Sequence, residues 1–142
     1  MGLDQAMDIS VSGIEANRIN MEIISSNLAN INTTRTLQGG PYRRKIPVFS
    51  EKPLEFSEAL STAEKKLSGG IEVSEIVEDT TPFQKVFNPG HPDADSQGFV
   101  SLPNVSMSKE MVDMVLVTKV YEANITAYNA SKKMAQETMQ IQ

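Results

Sequence analysis

The residues best placed to do chemistry lie in one short stretch. Asp93-Ala94-Asp95-Ser96-Gln97-Gly98 puts side-chain oxygens at positions 1, 3 and 5 and a glycine at 6, like the opening of a calcium loop. Position 12 is Asn104, where such a loop needs a bidentate glutamate, and Pro92 and a strand-like run stand where helices should flank it. A tight Asp/Gly turn accounts for the same residues. His91 is the single histidine and sits in the rigid turn Pro89-Gly90-His91-Pro92. The chain has no cysteine, so zinc could be held there only with distant carboxylates. No serine stands at a recognisable spacing to act as its nucleophile. Gly39-Gly40-Pro41 and Gly69-Gly70 lack the spacing and the Lys-Ser/Thr of a phosphate loop. The expectation is no catalytic residue, no metal and no cofactor.

A second group is electrostatic. Arg35, Arg43, Arg44 and Lys45, with Tyr42 beside them, form a basic patch in a chain that is acidic overall: 13 Lys plus Arg against 18 Asp plus Glu, net charge −5. That balance argues against a nucleic-acid binder. Contact with an acidic protein surface fits better, because the first 34 residues carry Asp4, Asp8, Glu15 and Glu22 against Arg18. Candidate partners within the chain are Glu72, Glu75, Glu78, Asp93 and Asp95.

These groups need elements to hold them. At 142 residues the chain has room for one domain, or one domain plus an arm. The longest apolar run is Met114 to Val117, far short of the roughly 20 residues that span a bilayer, so no membrane insertion is expected. Asp4, Asp8 and Glu15 stand where a cleavable secretion signal would need a basic start and an apolar core.

Three parts are legible. The first, 1–34, reads as a helix from residue 3 to about 31, with apolar residues at Met7, Val11, Ile14, Met21, Ile24, Leu28 and Ile31. A weaker stripe, Ile9, Ala16, Ile19 and Ile23, lies nearly opposite. The middle, 35–104, holds all seven prolines and six of the eight glycines. Strands are expected at Tyr42 to Phe49, Gly70 to Glu78, Lys85 to Asn88 and Phe99 to Leu102, with a short helix at Phe56 to Leu67. The last part, 105–142, reads as one helix from 106 to about 140. Ser106 or Ser108 would cap it, with Glu110 and Asp113 in the favourable early turns. It would be about 50 Å long.

That last helix has two apolar stripes. One runs through Met107, Met111, Met114, Thr118, Tyr121, Ile125, Tyr128, Ala135 and Met139. The other runs through Leu116, Val120, Ala123, Ala127, Ala130 and Met134, roughly 150° away. Two helices of one chain bury one stripe each against one another. The remaining stripes need the middle region or other chains, since a self-contained bundle would require long helices that the sequence does not offer. The fold class expected is mainly α with a small β-containing middle domain, its long terminal helices paired as a coiled-coil-like hairpin.

Ser25-Ser26-Asn27-Leu28-Ala29-Asn30-Ile31-Asn32-Thr33-Thr34 resembles the N-terminal signature of bacterial flagellar rod and hook proteins. Gly39-Gly40-Pro41-Tyr42-Arg43-Arg44-Lys45, His91-Pro92-Asp93-Ala94-Asp95, Leu102-Pro103-Asn104-Val105, Glu110-Met111-Val112-Asp113-Met114 and Tyr121-Glu122-Ala123-Asn124 are similar to the proximal-rod members of the flagellar basal-body rod family. The resemblance covers nearly the whole chain. It implies a non-enzymatic structural subunit of the proximal rod, part of the drive shaft and of the export channel, in the basal body where the rod crosses the periplasm. It implies export through the flagellar type III apparatus without a cleaved signal. The implied partners are copies of itself, other rod proteins, the export apparatus and basal-body ring proteins, with no nucleic acid. Subunit contacts are expected at Met7, Ile14, Met21, Leu28 and Asn30, and at Leu116, Val120, Tyr121, Ala123, Ala127, Ala130 and Met134. The basic contact patch is Arg35, Arg43, Arg44 and Lys45. A soluble helical adaptor or export chaperone is the alternative.

Overall fold

The computed structural model describes residues 3–52 and 69–140. The helix expected at Phe56 to Leu67 lies outside them. Helix α1 spans Leu3–Ala29 and helix α2 spans Met107–Gln140. Between them, strand β1 (Lys45–Glu51) pairs antiparallel with β2 (Ile71–Glu78), and β3 (Gln84–Phe87) pairs antiparallel with β4 (Phe99–Leu102). This is the expected class: two long helices flanking a small strand-rich region.

Local chemistry sets the boundaries. Asn30 ends α1 by turning back on it: its backbone N–H and its side-chain Nδ2 both donate to the Ser26 carbonyl, at 3.2 and 2.9 Å. Tyr42 N–H then donates to the Thr33 carbonyl at 3.0 Å and closes the turn between α1 and β1. Ser106 takes the N-cap position of α2, its carbonyl accepting from Glu110 N–H at 2.9 Å. β1 begins at Lys45 instead of Tyr42: Tyr42 N–H donates to the Thr33 carbonyl and Arg44 N–H to Asn104 Oδ1, so neither is left for a strand partner.

The helices pair antiparallel. Gly13 meets Asn124, Met21 Sδ lies 3.9 Å from Thr118 Oγ1, and Asn27 bonds Glu110. Along α2 the residues shielded from solvent are Glu110, Asp113, Met114, Val117, Thr118, Tyr121, Asn124, Ile125, Tyr128, Ser131 and Ala135, one face whose centre line steps by four and three from Glu110 to Ala135. That is a heptad seam. Gly13 lets the helices approach closely, since a Cβ there would stand 2.8 Å from Asn124 Nδ2. The other side of α1 lies against the β1–β2 ribbon. Ser12 is buried and its Oγ accepts from Ile71 N–H at 3.1 Å. Gly70 passes so near that a Cβ would fall 2.3 Å from that oxygen, and its φ of +107° also favours glycine.

The weaker stripe of α1 is therefore taken by the middle region. Ala16 and Ile23, from that stripe, and Ile24, from the stripe facing α2, are the buried apolar residues of α1. Among the described elements α2 packs against α1 and no other.

Candidate assembly surface and the polar node beside it

The second stripe of α2 faces solvent. Leu116 is 58% exposed, Val120 50% and Met134 50%, and Ala123, Ala127 and Ala130 between them are exposed too. Val112 and Val115 widen the band. The structure thus brings six of the expected contact residues into one line. Tyr121 belongs to the other side; it is half-buried in the seam with α1. Met7, Ile14, Met21 and Leu28 share one helix face at seven-residue spacing and are half-buried, Met21 touching Thr118. Their surface is divided between the seam and solvent. Asn30 serves the turn after α1, where Thr33 Oγ1 also donates to its Oδ1 at 3.2 Å.

Where the chain leaves α1 and re-enters α2, a polar node fixes the pairing. Asn27, 1% exposed, uses its whole amide: Nδ2 donates to the Lys45 carbonyl at 2.9 Å and to Glu110 Oε2 at 3.1 Å. Its Oδ1 accepts from Tyr42 Oη and from Lys45 N–H, both at 2.9 Å. Glu110, 0% exposed, receives Arg44 Nε on its other oxygen at 2.5 Å. Arg44 reaches on to Asp113 at 3.3 Å and Asp79 at 3.9 Å. Arg44 N–H donates to Asn104 Oδ1 at 2.8 Å, and Asn104 Nδ2 donates to the Asp79 carbonyl at 3.0 Å. The Thr81 hydroxyl and backbone N–H, with Arg44 and Lys109 behind them, hold the Asp79 carboxyl below the usual carboxylate range. A buried ion pair tolerates its desolvation only with this degree of hydrogen bonding. No buried side-chain nitrogen or oxygen among the described residues lacks a partner.

This node refines the reading of two residues. Arg44 of the basic patch meets its acidic surface within the chain. Its carboxylates are Glu110, Asp113 and Asp79, in place of the expected Glu72, Glu75, Glu78, Asp93 and Asp95. Glu110 does more than favour a helix start. One signal for it existed: Glu110 stands in the heptad phase of the seam, where a lone carboxylate calls for a buried cation. Of the other cations, Arg43 lies over the Phe83 ring, 4.4 Å from its centroid, and donates to the Asp79 carbonyl at 3.1 Å. Arg35 and Lys45 are exposed.

The calcium-like segment is built as a turn. Asp95 Oδ1 accepts from Phe99 N–H at 2.9 Å and Gln97 N–H at 2.8 Å, and those bonds lower its pKa. Asp93 Oδ2 accepts from Thr34 Oγ1 at 2.8 Å, and Asp93 N–H donates to His91 Nδ1 at 3.1 Å. These oxygens tie the loop to itself and to the end of α1.

Comparison with known proteins agrees with this architecture at both ends. Residues 7–35 match the family described as flagella basal body rod protein, and residues 96–141 match the flagellar basal body rod FlgEFG protein C-terminal family. The chain is similar to the flagellar basal-body rod protein FlgC of Bacillus subtilis, 42% identical over 96% of this chain and 95% of that one. It is similar also to the FlgC proteins of Borreliella burgdorferi, at 36% over 99% and 98%, and of Aquifex aeolicus, at 37% over 99% and 97%. The matched segments contain most of α1 with Asn27 and all of α2 with Glu110, the two sides of the node. At this identity over nearly the full length of both partners, the chain belongs to the FlgC family of flagellar basal-body rod proteins.

Proposed function

We propose that this chain is a structural subunit of the flagellar rod, built into the proximal rod by packing the outer stripe of α2 against copies of itself and neighbouring rod proteins. The observation that carries the reading is that stripe: a continuous apolar band on a long helix whose other side is already filled by α1. Burying a large apolar side chain is worth about 1.5–3 kcal/mol, so several such residues in line favour association strongly. A contact that does not close on itself generates a helical filament, as a rod requires. Under this reading α2 lines the drive shaft and the export channel, and the protein sits in the basal body where the rod crosses the periplasm. Its further partners are the export apparatus, which it passes through without a cleaved signal, and the surrounding rings. The strand-rich region between the helices faces neighbours outside the helix layer. The role is mechanical, with no reaction assigned.

Ala127→Glu tests it. The position is exposed in the single chain, so the purified variant keeps the parent's circular dichroism. Buried between subunits, the unpaired carboxylate costs several kcal/mol, and swimming is lost. Normal motility with the variant present in purified basal bodies would overturn the reading.

A further inference from the structure

Of the four clustered cations, one is consumed by the node. Arg35, Arg43 and Lys45 have no carboxylate within 4.0 Å among the described residues. The nearby acids are otherwise engaged: Asp79 receives Thr81 and Arg44, and Asp93 receives Thr34. Arg43 and Lys45 line a concavity of about 520 Å³ with the 36–41 turn, Phe83 and Glu78. Glu78, the cross-strand neighbour of Lys45, is the one carboxylate in that lining among the described residues. The turn at the rim is stiff. Thr36 N–H donates to the Gly40 carbonyl at 2.9 Å, Gly39 N–H to the Thr36 carbonyl at 3.0 Å, and the two glycines take positive φ. Beside them stands Leu37, fully exposed. A large apolar side chain held out on a rigid turn beside unpaired cations is pre-organised for a partner, because little freedom is left to lose.

Charge narrows what that partner can be. Glu72 and Glu75 are exposed on the ribbon that carries Lys45 and Glu78, and the whole chain has net charge −5. A broad polyanion, whether a bilayer of anionic lipid or a nucleic acid, would face those carboxylates as well as the three cations. A single narrow acidic segment avoids them. The concavity has room for a few side chains of such a segment, and Leu37 calls for an apolar residue among them.

We propose that the 36–41 turn and the concavity behind it dock a short acidic segment of a different basal-body protein. Its carboxylates face Arg35, Arg43 and Lys45, and a large apolar side chain seats on Leu37. This rests on the rod-subunit reading and adds to it the chemistry of one partner. The site uses no residue of the open stripe of α2, so either contact can fail without the other. Complementary charge at the site selects the partner and speeds its arrival more than it adds affinity.

Photochemical capture tests it. Leu37 is replaced by p-benzoylphenylalanine, the variant is expressed in place of the parent, and its purified basal bodies are irradiated. A second variant carries the probe at Gln38, exposed in the same turn, in case Leu37 itself is needed for incorporation. The expected adduct joins this chain to another protein, and mass spectrometry places it in a segment of net negative charge. A synthetic peptide of that segment then binds the purified parent, more weakly as salt rises. Arg35→Glu with Lys45→Glu, both at exposed positions, weakens that binding by roughly tenfold while the circular dichroism stays that of the parent. A peptide with its acidic residues changed to Lys recovers affinity for the double variant. Adducts to another copy of this chain, to lipid, to nucleic acid or to a segment without net negative charge overturn the proposal. So does the absence of an adduct from both probe variants, or equal peptide binding by parent and double variant. Parent chain missing from basal bodies overturns the rod reading and this proposal with it.

Discussion

α1 and α2 carry apolar residues on two sides each, yet the chain covers them unequally. α1 lies between α2 and the β1–β2 ribbon, and both of its stripes find partners. α2 has the seam with α1, and its other stripe stays open from Leu116 to Met134. The residues do not explain this. Ile9, Ile19 and Ile23 on α1 are no more apolar than Leu116 and Val120. What differs is connection: the ribbon follows α1 through a short closed turn, whereas α2 comes last and meets a helix already clad on its far side. A helix face is completed by whatever the chain can reach.

If that contrast is right, damage to the covered side should destabilise the single chain, and damage to the open side should not. The largest effect is expected at the node. Glu110→Ala takes from Arg44 its buried carboxylate, leaving only the longer contacts to Asp113 and Asp79, and strands one Asn27 donor, and urea denaturation should show a loss of about 3 kcal/mol. Next is Gly70→Ala, where positive φ and the approach to Ser12 act together. About 2 kcal/mol should be lost, and Ser12→Ala should recover part of it, since the clash is with that hydroxyl. Neighbouring positions on α2 give the direct comparison. Tyr121→Ala, in the seam, should cost about 1–2 kcal/mol, while Val120→Ala, on the open face, stays within about 0.5 kcal/mol. A cost at Val120 equal to that at Tyr121 would break the contrast.

The smallest effect sharpens the electrostatics. Thr81→Ala removes the chief cause of the lowered Asp79 pKa, so NMR titration should place that carboxyl nearer its ordinary value. A depressed folded-state pKa adds stability above the unfolded value of about 3.9, which is lost as pH falls through the folded one. Part of the difference between variant and parent should therefore be present near neutral pH and vanish in acid.

The punctuated parts were legible in the sequence. Proline and glycine bracket the strands, so Phe99–Leu102 coincides with its expectation, and both helices fall within two residues of theirs. The open stripe of α2 was legible as well, because periodicity reports apolar faces whether or not they are covered. What periodicity could not reveal was the seam's own character. The apolar stripe through Met114, Thr118, Tyr121, Ile125, Tyr128 and Ala135 does lie on the shielded side, but Glu110, Asn124 and Ser131 share that side and are polar, so a search for apolar residues passed over them and took in Met107, Met111 and Met139, which are exposed. The node was hidden for a related reason. Its members are separated by up to 83 positions and are polar, and only the fold shows that Asn27, Arg44 and Glu110 answer one another. Arg44 beside Arg43 and Lys45 looks like one surface patch until the backbone turns one of them inward.

The node has a consequence for how such a chain can change length. Asn27 and Glu110 are in direct contact, so the polypeptide departs from the helical hairpin and returns to it through a single gate. Register between the helices is set on their side of that gate by Gly13, Met21 and the node itself. An insertion in the excursion beyond, away from Tyr42–Lys45, Asp79, Asn104 and the Gly70–Ile71 contact with Ser12, leaves the hairpin's dimensions untouched. A grafted reporter or a longer loop could ride there while the helices keep the same repeat.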